Sequence, residues 1–469
     1  IYQLHPSLPP FLRHRLMESA GEGGVQKLDT EFIKFYADFA AQLDEKVRNA
    51  NQNAVSIVKI EELNFLRALR IAVKTEQWTL TQAIAQTLYE FYEIRGRFRE
   101  WSALRSSLLD HTGREISIDA PRNLADLWMF LLGEEANEAL RENRLDDAEH
   151  FYVKIIQYLQ TKTLPEPEAE RKIAVGYHQL GIIAEERQQF DVAEQWYRKA
   201  LEIFERLGLE RDAADEYHQL GMIAQERQQF DVAEQWYRKA LEIRERLGLK
   251  RYAADEYHQL GMIAEERQQF DVAEQWYRKA LEIRERLGLE RDAADDYHQL
   301  GMVAQERQQF DVAEECYRKA LEIYKRLGLE RDAAGDYHQL GMVAEERQQF
   351  DVAEECYRKA LEIFEKLGLE RYAAYDYHQL GMIAQERQQF DVAEQWYRKA
   401  LEIRERLGLE RYAAGDYHQL GIIAQERQQF DEAEECYRKA LEIFDKIGHP
   451  PLKVNTLAVF GVLRFQQGR

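Results

Sequence analysis

The sequence predicts an all-α solenoid of helix-turn-helix repeats, and three observations carry that expectation. The phrase YHQLG begins at Tyr177, Tyr217, Tyr257, Tyr297, Tyr337, Tyr377 and Tyr417, so one unit recurs every 40 residues without insertion or deletion. Each unit holds two apolar stripes at helical spacing: Tyr217, Leu220, Gly221 and Ala224, then Ala233, Trp236, Tyr237, Ala240 and Leu247. No proline lies between Pro167 and Pro450, so nothing breaks the stack. A period of this kind overrides the several globular domains that 469 residues would otherwise suggest.

Within a unit, the punctuation follows helix chemistry. Asp231 followed by Glu234 reads as an N-cap with its capping-box acid, and Gly248-Leu249 as a left-handed stop with an apolar follower. Gly221, Ala233 and Ala240 are small where two helices must approach closely. Stacking several copies is required because one helix pair cannot bury its own apolar faces. Identity beyond that need points to recent expansion.

Composition narrows the function. A formal charge of −21 argues against a nucleic-acid backbone as partner. No apolar run reaches the length of a membrane span, and no signal peptide opens the chain. Cys316, Cys356 and Cys436 occupy one position of the repeat, too far apart for a disulfide, which fits a reducing, cytoplasmic location. The chain begins at Ile1 without a methionine, as a segment excised from a longer protein would. There is no GxxxxGK[ST] phosphate loop, no metal-spaced cysteine cluster and no isolated acid pair, so the expectation is no enzyme, no catalytic residue, no metal and no cofactor.

Leu220-Gly221, Ala224, Phe230, Ala233, Tyr237 and Ala240 resemble the tetratricopeptide signature in type and spacing, in seven copies. The period of 40 exceeds the family's usual ~34, the excess lying in stretches such as EIRERLGLERD. The resemblance implies a right-handed α-solenoid whose first helices line a concave groove. Upstream, IYQLHPSLPPFLRHRLM resembles the tail of the winged-helix module of STAND-type signalling ATPases. The stretch Glu61–Leu109 is similar to the degenerate helical region that joins such an ATPase to a tetratricopeptide sensor. The implied organisation is a winged-helix remnant at 1–20, a degenerate helical region at 21–123, a diverged repeat at 124–170, seven near-identical repeats at 171–448 and a half-repeat at 449–469. In the diverged repeat Leu145, Asp146, Ala148 and Tyr152 take the places of Phe230, Asp231, Ala233 and Tyr237.

The resemblance implies a sensor. The array would hold an ATPase closed and release it when a protein or peptide ligand binds, with the ATPase and effector upstream of Ile1. Such proteins serve bacterial transcription control, programmed death and antiphage defence. The alternative is a passive scaffold for complex assembly. The co-chaperone type of tetratricopeptide carboxylate clamp is absent, since His218 and Met222 stand where it places lysine and asparagine.

The candidate groove residues form a second stripe beside the apolar one, Asp215, His218, Met222, Gln225 and Gln229. Its counterparts are Asp255, His258 and Met262; Asp295, His298 and Met302; His338 and Met342; Tyr375, His378 and Met382; and His418. The first member varies most, as Val175, Asp215, Asp255, Asp295, Gly335, Tyr375 and Gly415, while the second is always histidine, from His178 to His418. Two readings of the histidines stand together: contact with a ligand, or a solvated or neighbour-bonded ring kept by duplication. A shared metal is excluded because helices packed at ~8–10 Å hold such rings too far apart for one ion.

A second change is coupled to the copies. Trp196, Trp236, Trp276 and Trp396 are replaced by Cys316, Cys356 and Cys436 elsewhere. Eight residues later stand Phe204, Arg244, Arg284 and Arg404 after tryptophan, and Tyr324, Phe364 and Phe444 after cysteine. Losing a buried tryptophan would cost about 3–5 kcal/mol, so the exchange implies a partly exposed site or local compensation, on an outer packing face or a docking surface. The final stretch, VNTLAVFGVLRFQQGR, keeps the phase, with Gly461 lying 40 residues after Gly421. It supplies only a first helix, apolar on more than one side, which leaves room for a continuing chain or a second molecule.

Overall fold

Consecutive amphipathic stretches form consecutive helices. The computed structural model describes residues 8–161, 166–448 and 450–466, with side chains described within 21–161, 166–448 and 451–465. The described residues contain helices joined by short turns and no strand. Residues 1–7 of the expected winged-helix remnant lie outside the described residues, and its remainder is helical backbone. Residue 449 and residues 467–469 of the expected half-repeat also lie outside. The chain divides into two compact units, Ile1–Ile223 and Ala224–Arg469, a boundary that falls inside the second near-identical repeat.

In the first unit, α1 (Leu8–Arg48) bends at Gly21, where φ is 65°. It packs against both α2 (Gln52–Lys74) and α3 (Trp78–Ile94). Asn51 caps α2, its side chain accepting from the backbone N–H of Asn53 and Ala54 at 3.1 and 3.2 Å. The buried Thr87 hydroxyl donates to the Ala40 carbonyl at 3.1 Å, tying α3 to α1. Then follow α4 (Phe98–Thr112), α5 (Arg122–Arg141), α6 (Leu145–Gln160), α7 (Pro167–Glu186) and α8 (Phe190–Arg206). A helix α9 (Glu210–Glu226) crosses the unit boundary.

The second unit repeats one hairpin from α10 (Phe230–Arg246) through α11 (Lys250–Glu266), α12 (Phe270–Leu287), α13 (Glu290–Glu306), α14 (Phe310–Leu327), α15 (Glu330–Glu346), α16 (Phe350–Lys366), α17 (Glu370–Glu386), α18 (Phe390–Arg406), α19 (Glu410–Glu426) and α20 (Phe430–Ile447) to α21 (Pro450–Gln466). Each helix packs against the next in order. Between the helices of a hairpin the chain passes through a left-handed glutamine. At Gln268 φ is 57°, and the Gln269 N–H closes on the Ala264 carbonyl at 2.8 Å. The same left-handed turn occurs before the repeats at Glu76, Gly96 and Asn143.

Between hairpins Gly248 takes φ 68°, its N–H reaching the Glu245 carbonyl while the Leu249 N–H reaches Arg244, as the expected stop requires. The capping box at Asp231 and Glu234 does not form. Gln229 stands at the N-cap without a side-chain bond, and Asp231 sits inside the first turn. Both acids instead hold Arg267 of the next turn, at 2.5 and 2.7 Å. A guanidinium offering two donors to two carboxylates across a repeat outcompetes a local cap that would engage a single backbone N–H. The diverged region shares the device, with Arg187 on Asp146 and Glu149.

Small residues set the spacing within a hairpin. A Cβ at Gly301 would fall 2.6 Å from Cε1 of Tyr317, a ring that is fully buried. Ala313 and Ala320 are also fully buried. In α21, Leu463 is buried while Val454, Leu457, Val462 and Phe465 are exposed, so the apolar stripes of this helix are only partly covered.

Candidate functional site

The groove residues expected from sequence share the first helices, but most are bonded inward. His258 Nδ1 lies 2.8 Å from Asp296 Oδ1, His298 Nδ1 2.6 Å from Asp336, His338 Nδ1 2.7 Å from Asp376 and His378 Nδ1 2.7 Å from Asp416. In the first unit His178 meets Glu216 at 2.7 Å. Each bond runs from one first helix to the next. An ionised carboxylate only accepts, so Nδ1 carries the proton. His418 meets the Thr456 hydroxyl instead at 3.0 Å, and burial without a charged partner lowers its pKa. The rings themselves are only partly covered, 15% exposed for His258 and 26% for His298. Of the two sequence readings, the neighbour-bonded ring describes the Nδ1 edge.

The other stripe members are also engaged. Asp255 takes Arg284 Nη2 at 3.0 Å, and Asp295 takes the Tyr324 hydroxyl at 2.6 Å. Tyr375 lies under the Arg404 guanidinium at 5.4 Å and meets Tyr412 edge to face at 5.3 Å. Gln225 accepts the Tyr237 hydroxyl at 2.9 Å. Asp215, His218 and Met222 are half-buried on α9, and Met262, Met302, Met342 and Met382 are half-buried on their own first helices.

Sequence reading missed the acids that hold the histidines. Glu216, Asp296, Asp336, Asp376 and Asp416 are each 0–1% exposed. It also missed that the position holding Phe204, Arg244, Arg284, Tyr324, Phe364, Arg404 and Phe444 is buried throughout. A buried arginine needs a counter-charge, and here it has one. Arg284 donates to Asp296 at 2.7 Å, Arg404 to Asp416 at 2.7 Å, and Arg244 to Glu256. Where the position is aromatic, as at Tyr324 and Phe364, the acids Asp336 and Asp376 have the histidine as their hydrogen-bond partner and no arginine beside them among the described residues.

The electrostatics follow. Burial pushes the Asp336 carboxyl up to about 6 against the lowering pull of His298, with Asp332 and Asp295 adding to the rise. Burial likewise raises Asp376, opposed by His338, and Asp296, opposed by His258 and Arg284. The signal for these pairs was present in the letters. Residues 29 apart match in kind as Asp255 with Arg284, Asp295 with Tyr324, Tyr375 with Arg404, and Gly335, Gly415 and Val175 with Phe364, Phe444 and Phe204. The variable first member of the stripe therefore answers a buried residue.

The tryptophan position is half-buried as expected. Trp276 stacks on Tyr257 at 5.5 Å and Trp396 on Tyr377 at 5.5 Å. Tyr257 and Tyr377 are buried, whereas Tyr297, Tyr337 and Tyr417, in the cysteine copies, are half-buried. Burial raises the thiols, Cys436 to about 11, which removes the thiolate that reactivity would need. Among the described residues no group of three or more histidine, cysteine, aspartate or glutamate side chains is arranged to hold a metal ion, and no helix is long and apolar enough to cross a membrane.

Comparison with known proteins agrees with this architecture. The structure resembles a STAND protein (Signal Transduction ATPase with Numerous Domains) with a tetratricopeptide repeat sensor from Pyrococcus horikoshii, at TM-score 0.54 and 15% identity, over 84% of this chain and 55% of that one. A Rap protein complexed with competence and sporulation factor is similar at TM-score 0.42 and 16% identity, covering 72% of this chain and 98% of that one. The apo form of RapI gives 0.47 and 18%, covering 59% and 98%. These likenesses concern the fold. No curated protein matches the sequence. The tetratricopeptide repeat family matches residues 172–246, 252–326, 333–406 and 414–447, more than half of the chain. With the glycine–tyrosine approach and the left-handed turns repeated copy after copy, the chain belongs to the tetratricopeptide repeat family, a protein-binding fold.

Proposed function

We propose that this array is the ligand-sensing part of a STAND-type signalling ATPase. It captures a peptide or protein segment on the face of its first helices and so relieves autoinhibition. One observation carries the reading: four successive first helices of the second unit, α11, α13, α15 and α17, repeat a half-buried methionine followed four residues later by an exposed glutamate. These are Met262 and Glu266, Met302 and Glu306, Met342 and Glu346, and Met382 and Glu386. None of these glutamates has an ion-pair partner among the described residues, although the arginines around them are paired. A regularly repeated surface of apolar and uncompensated acidic groups suits a long partner carrying basic and apolar residues.

The likeness to the STAND protein supports this reading by its reach, 84% of the chain, which extends beyond the repeats into the flanking helices. The remnant at 1–20, the degenerate region at 21–123 and the diverged repeat at 124–170 belong to the same proposal. So do an upstream ATPase and effector, a bacterial cytoplasmic setting and a role in antiphage defence. The histidine ladder lines the proposed face, offering the ring edge not used by its acid.

The test is affinity capture from bacterial extract, with and without phage infection, followed by mass spectrometry. The methionines are the side chains to change, because the histidines also hold buried acids. A protein captured by the wild-type array and lost by a folded Met262→Ala, Met302→Ala, Met342→Ala variant supports the reading; capture unaffected by that variant defeats it. The exposed apolar residues of α21, with Phe465 at 84% exposure, favour the second reading, an assembly scaffold.

A further inference from the structure

The junction between α5 and α7 departs from those that follow. Gly133 stands twelve residues before Leu145, as His178 stands twelve before Phe190, and Gly176 occupies the place held by Glu216 one repeat later. Two glycines therefore replace the imidazole and the carboxylate. A Cβ at Gly133 would meet nothing within 4 Å, whereas one at Gly176 would fall 2.8 Å from Cγ1 of Ile156. The first glycine opens space, and the second lets the backbone press against its wall. The result is a cleft of about 380 Å³ lined by Met129, Phe130, Glu134, Asn137, Tyr152 and Ile155 among others.

The cleft combines an apolar wall with charged and polar side chains, and one carboxylate oxygen in its lining lacks a hydrogen bond. Glu134 Oε1 accepts from Asn137 Nδ2 at 3.3 Å, and the Asn137 carbonyl oxygen takes the Tyr152 hydroxyl. Glu134 Oε2 is buried and has no hydrogen-bond partner. Burial raises the Glu134 carboxyl above its ordinary range, an effect that the Tyr89 hydroxyl, Arg141 and Asn137 oppose and Glu93 reinforces. The neighbouring cations are already committed: Lys172 to Asp126 at 2.9 Å, Arg171 to Asp212 at 3.9 Å and Arg141 to Glu93 at 3.3 Å. A cation entering the cleft would stabilise the ionised carboxylate, the Glu134 side chain turning to present Oε2 as acceptor, while the cation's stem would cover Met129, Phe130 and Ile155.

We propose that this cleft is a recognition pocket for a lysine side chain, its ammonium group donating to Glu134 and its aliphatic stem lying on the apolar walls. The proposal rests on the reading of the chain as a protein-binding array and supplies that reading with an anchor residue.

The experiment titrates the full chain with Nα-acetyl-lysine methylamide and with its norleucine counterpart, observed by calorimetry or ligand NMR. The lysine probe is expected to bind about tenfold tighter than the norleucine probe, the weight of one charge-assisted hydrogen bond. Glu134→Gln should remove that preference, and Gly133→Leu, which grows into open space on a helix, should block both probes without lowering the melting temperature. Equal affinity for the two probes, no binding of the lysine probe, or binding untouched by Gly133→Leu would overturn the pocket. A Gly133→Leu chain that still captures its macromolecular partner would remove the pocket from recognition and leave the protein-binding reading intact. Conversely, lysine binding that survives the methionine triple variant after capture is lost supports the pocket and the first-helix face as separate elements.

Discussion

Replacing His298 with alanine should cost the array far more than replacing His258, although the two residues occupy one position in near-identical repeats. Asp296 beside His258 also holds Arg284 at 2.7 Å, so His258→Ala removes one charge-assisted hydrogen bond from a carboxylate that stays neutralised. That loss is worth about 1–2 kcal/mol. Asp336 is as fully buried as Asp296, but the neighbouring second helix presents Tyr324 in place of an arginine, and its hydroxyl goes to Asp295. His298→Ala therefore leaves a buried carboxylate with no hydrogen-bond partner among the described residues and no arginine beside it, a loss of about 3–5 kcal/mol. Urea unfolding followed by circular dichroism at neutral pH should separate the variants by about 2–3 kcal/mol, the difference between those two losses. Adding Tyr324→Arg to His298→Ala should recover part of the loss by recreating the Arg284 arrangement. The gap should narrow as pH falls below about 6, where Asp336 takes up a proton and no longer carries a buried charge. Equal losses for the two histidines, or a gap that widens in acid, would refute the pairing of charges described here.

Other outcomes follow from the same geometry. In the wild-type chain, the raised carboxyl of Asp336 contributes stability that is full below its unfolded value near 4 and is lost as pH rises through about 6. An Asp336→Asn chain should lack that component when melting temperature is followed across this window. Gly301→Ala should destabilise by about 1–3 kcal/mol, because its Cβ would lie 2.6 Å from a fully buried tyrosine ring that has nowhere to move; an unchanged urea midpoint would contradict that close approach. Gln308→Gly should raise the urea midpoint, since φ is 57° there and a side chain in the left-handed region costs about 1 kcal/mol. Cys436 should react slowly with iodoacetamide at neutral pH and faster as pH approaches about 11.

The repeat, the two helices per unit and the glycine stop were legible because each is a local pattern: a period, an apolar stripe, a left-handed residue with its follower. The capping box was misread because its two acids serve an arginine more than thirty residues away, a partner that no local window contains. The histidine ladder was visible, but its Nδ1 bonds join positions 38 residues apart, and no local window marks Asp296 or Asp336 as buried. The first stripe position was the most variable member of the candidate groove. Arg284 beneath Asp255 and Phe364 matched to Gly335 give it a packing reason that only pairing residues 29 apart would have revealed. The cleft at Gly133 escaped notice because it arises where the diverged repeat lacks two side chains, and an omission is hard to read without the filled copies beside it.

The central claim, that the first-helix face is the binding surface, is tested most directly by placing a photo-crosslinking residue on either side of one hairpin. Glu306 lies exposed on α13, and Lys319 lies exposed on α14. Irradiation in extract should give a crosslinked partner from a chain labelled at Glu306 and none from one labelled at Lys319. A partner crosslinked from Lys319 alone would place binding on the second helices and contradict the account.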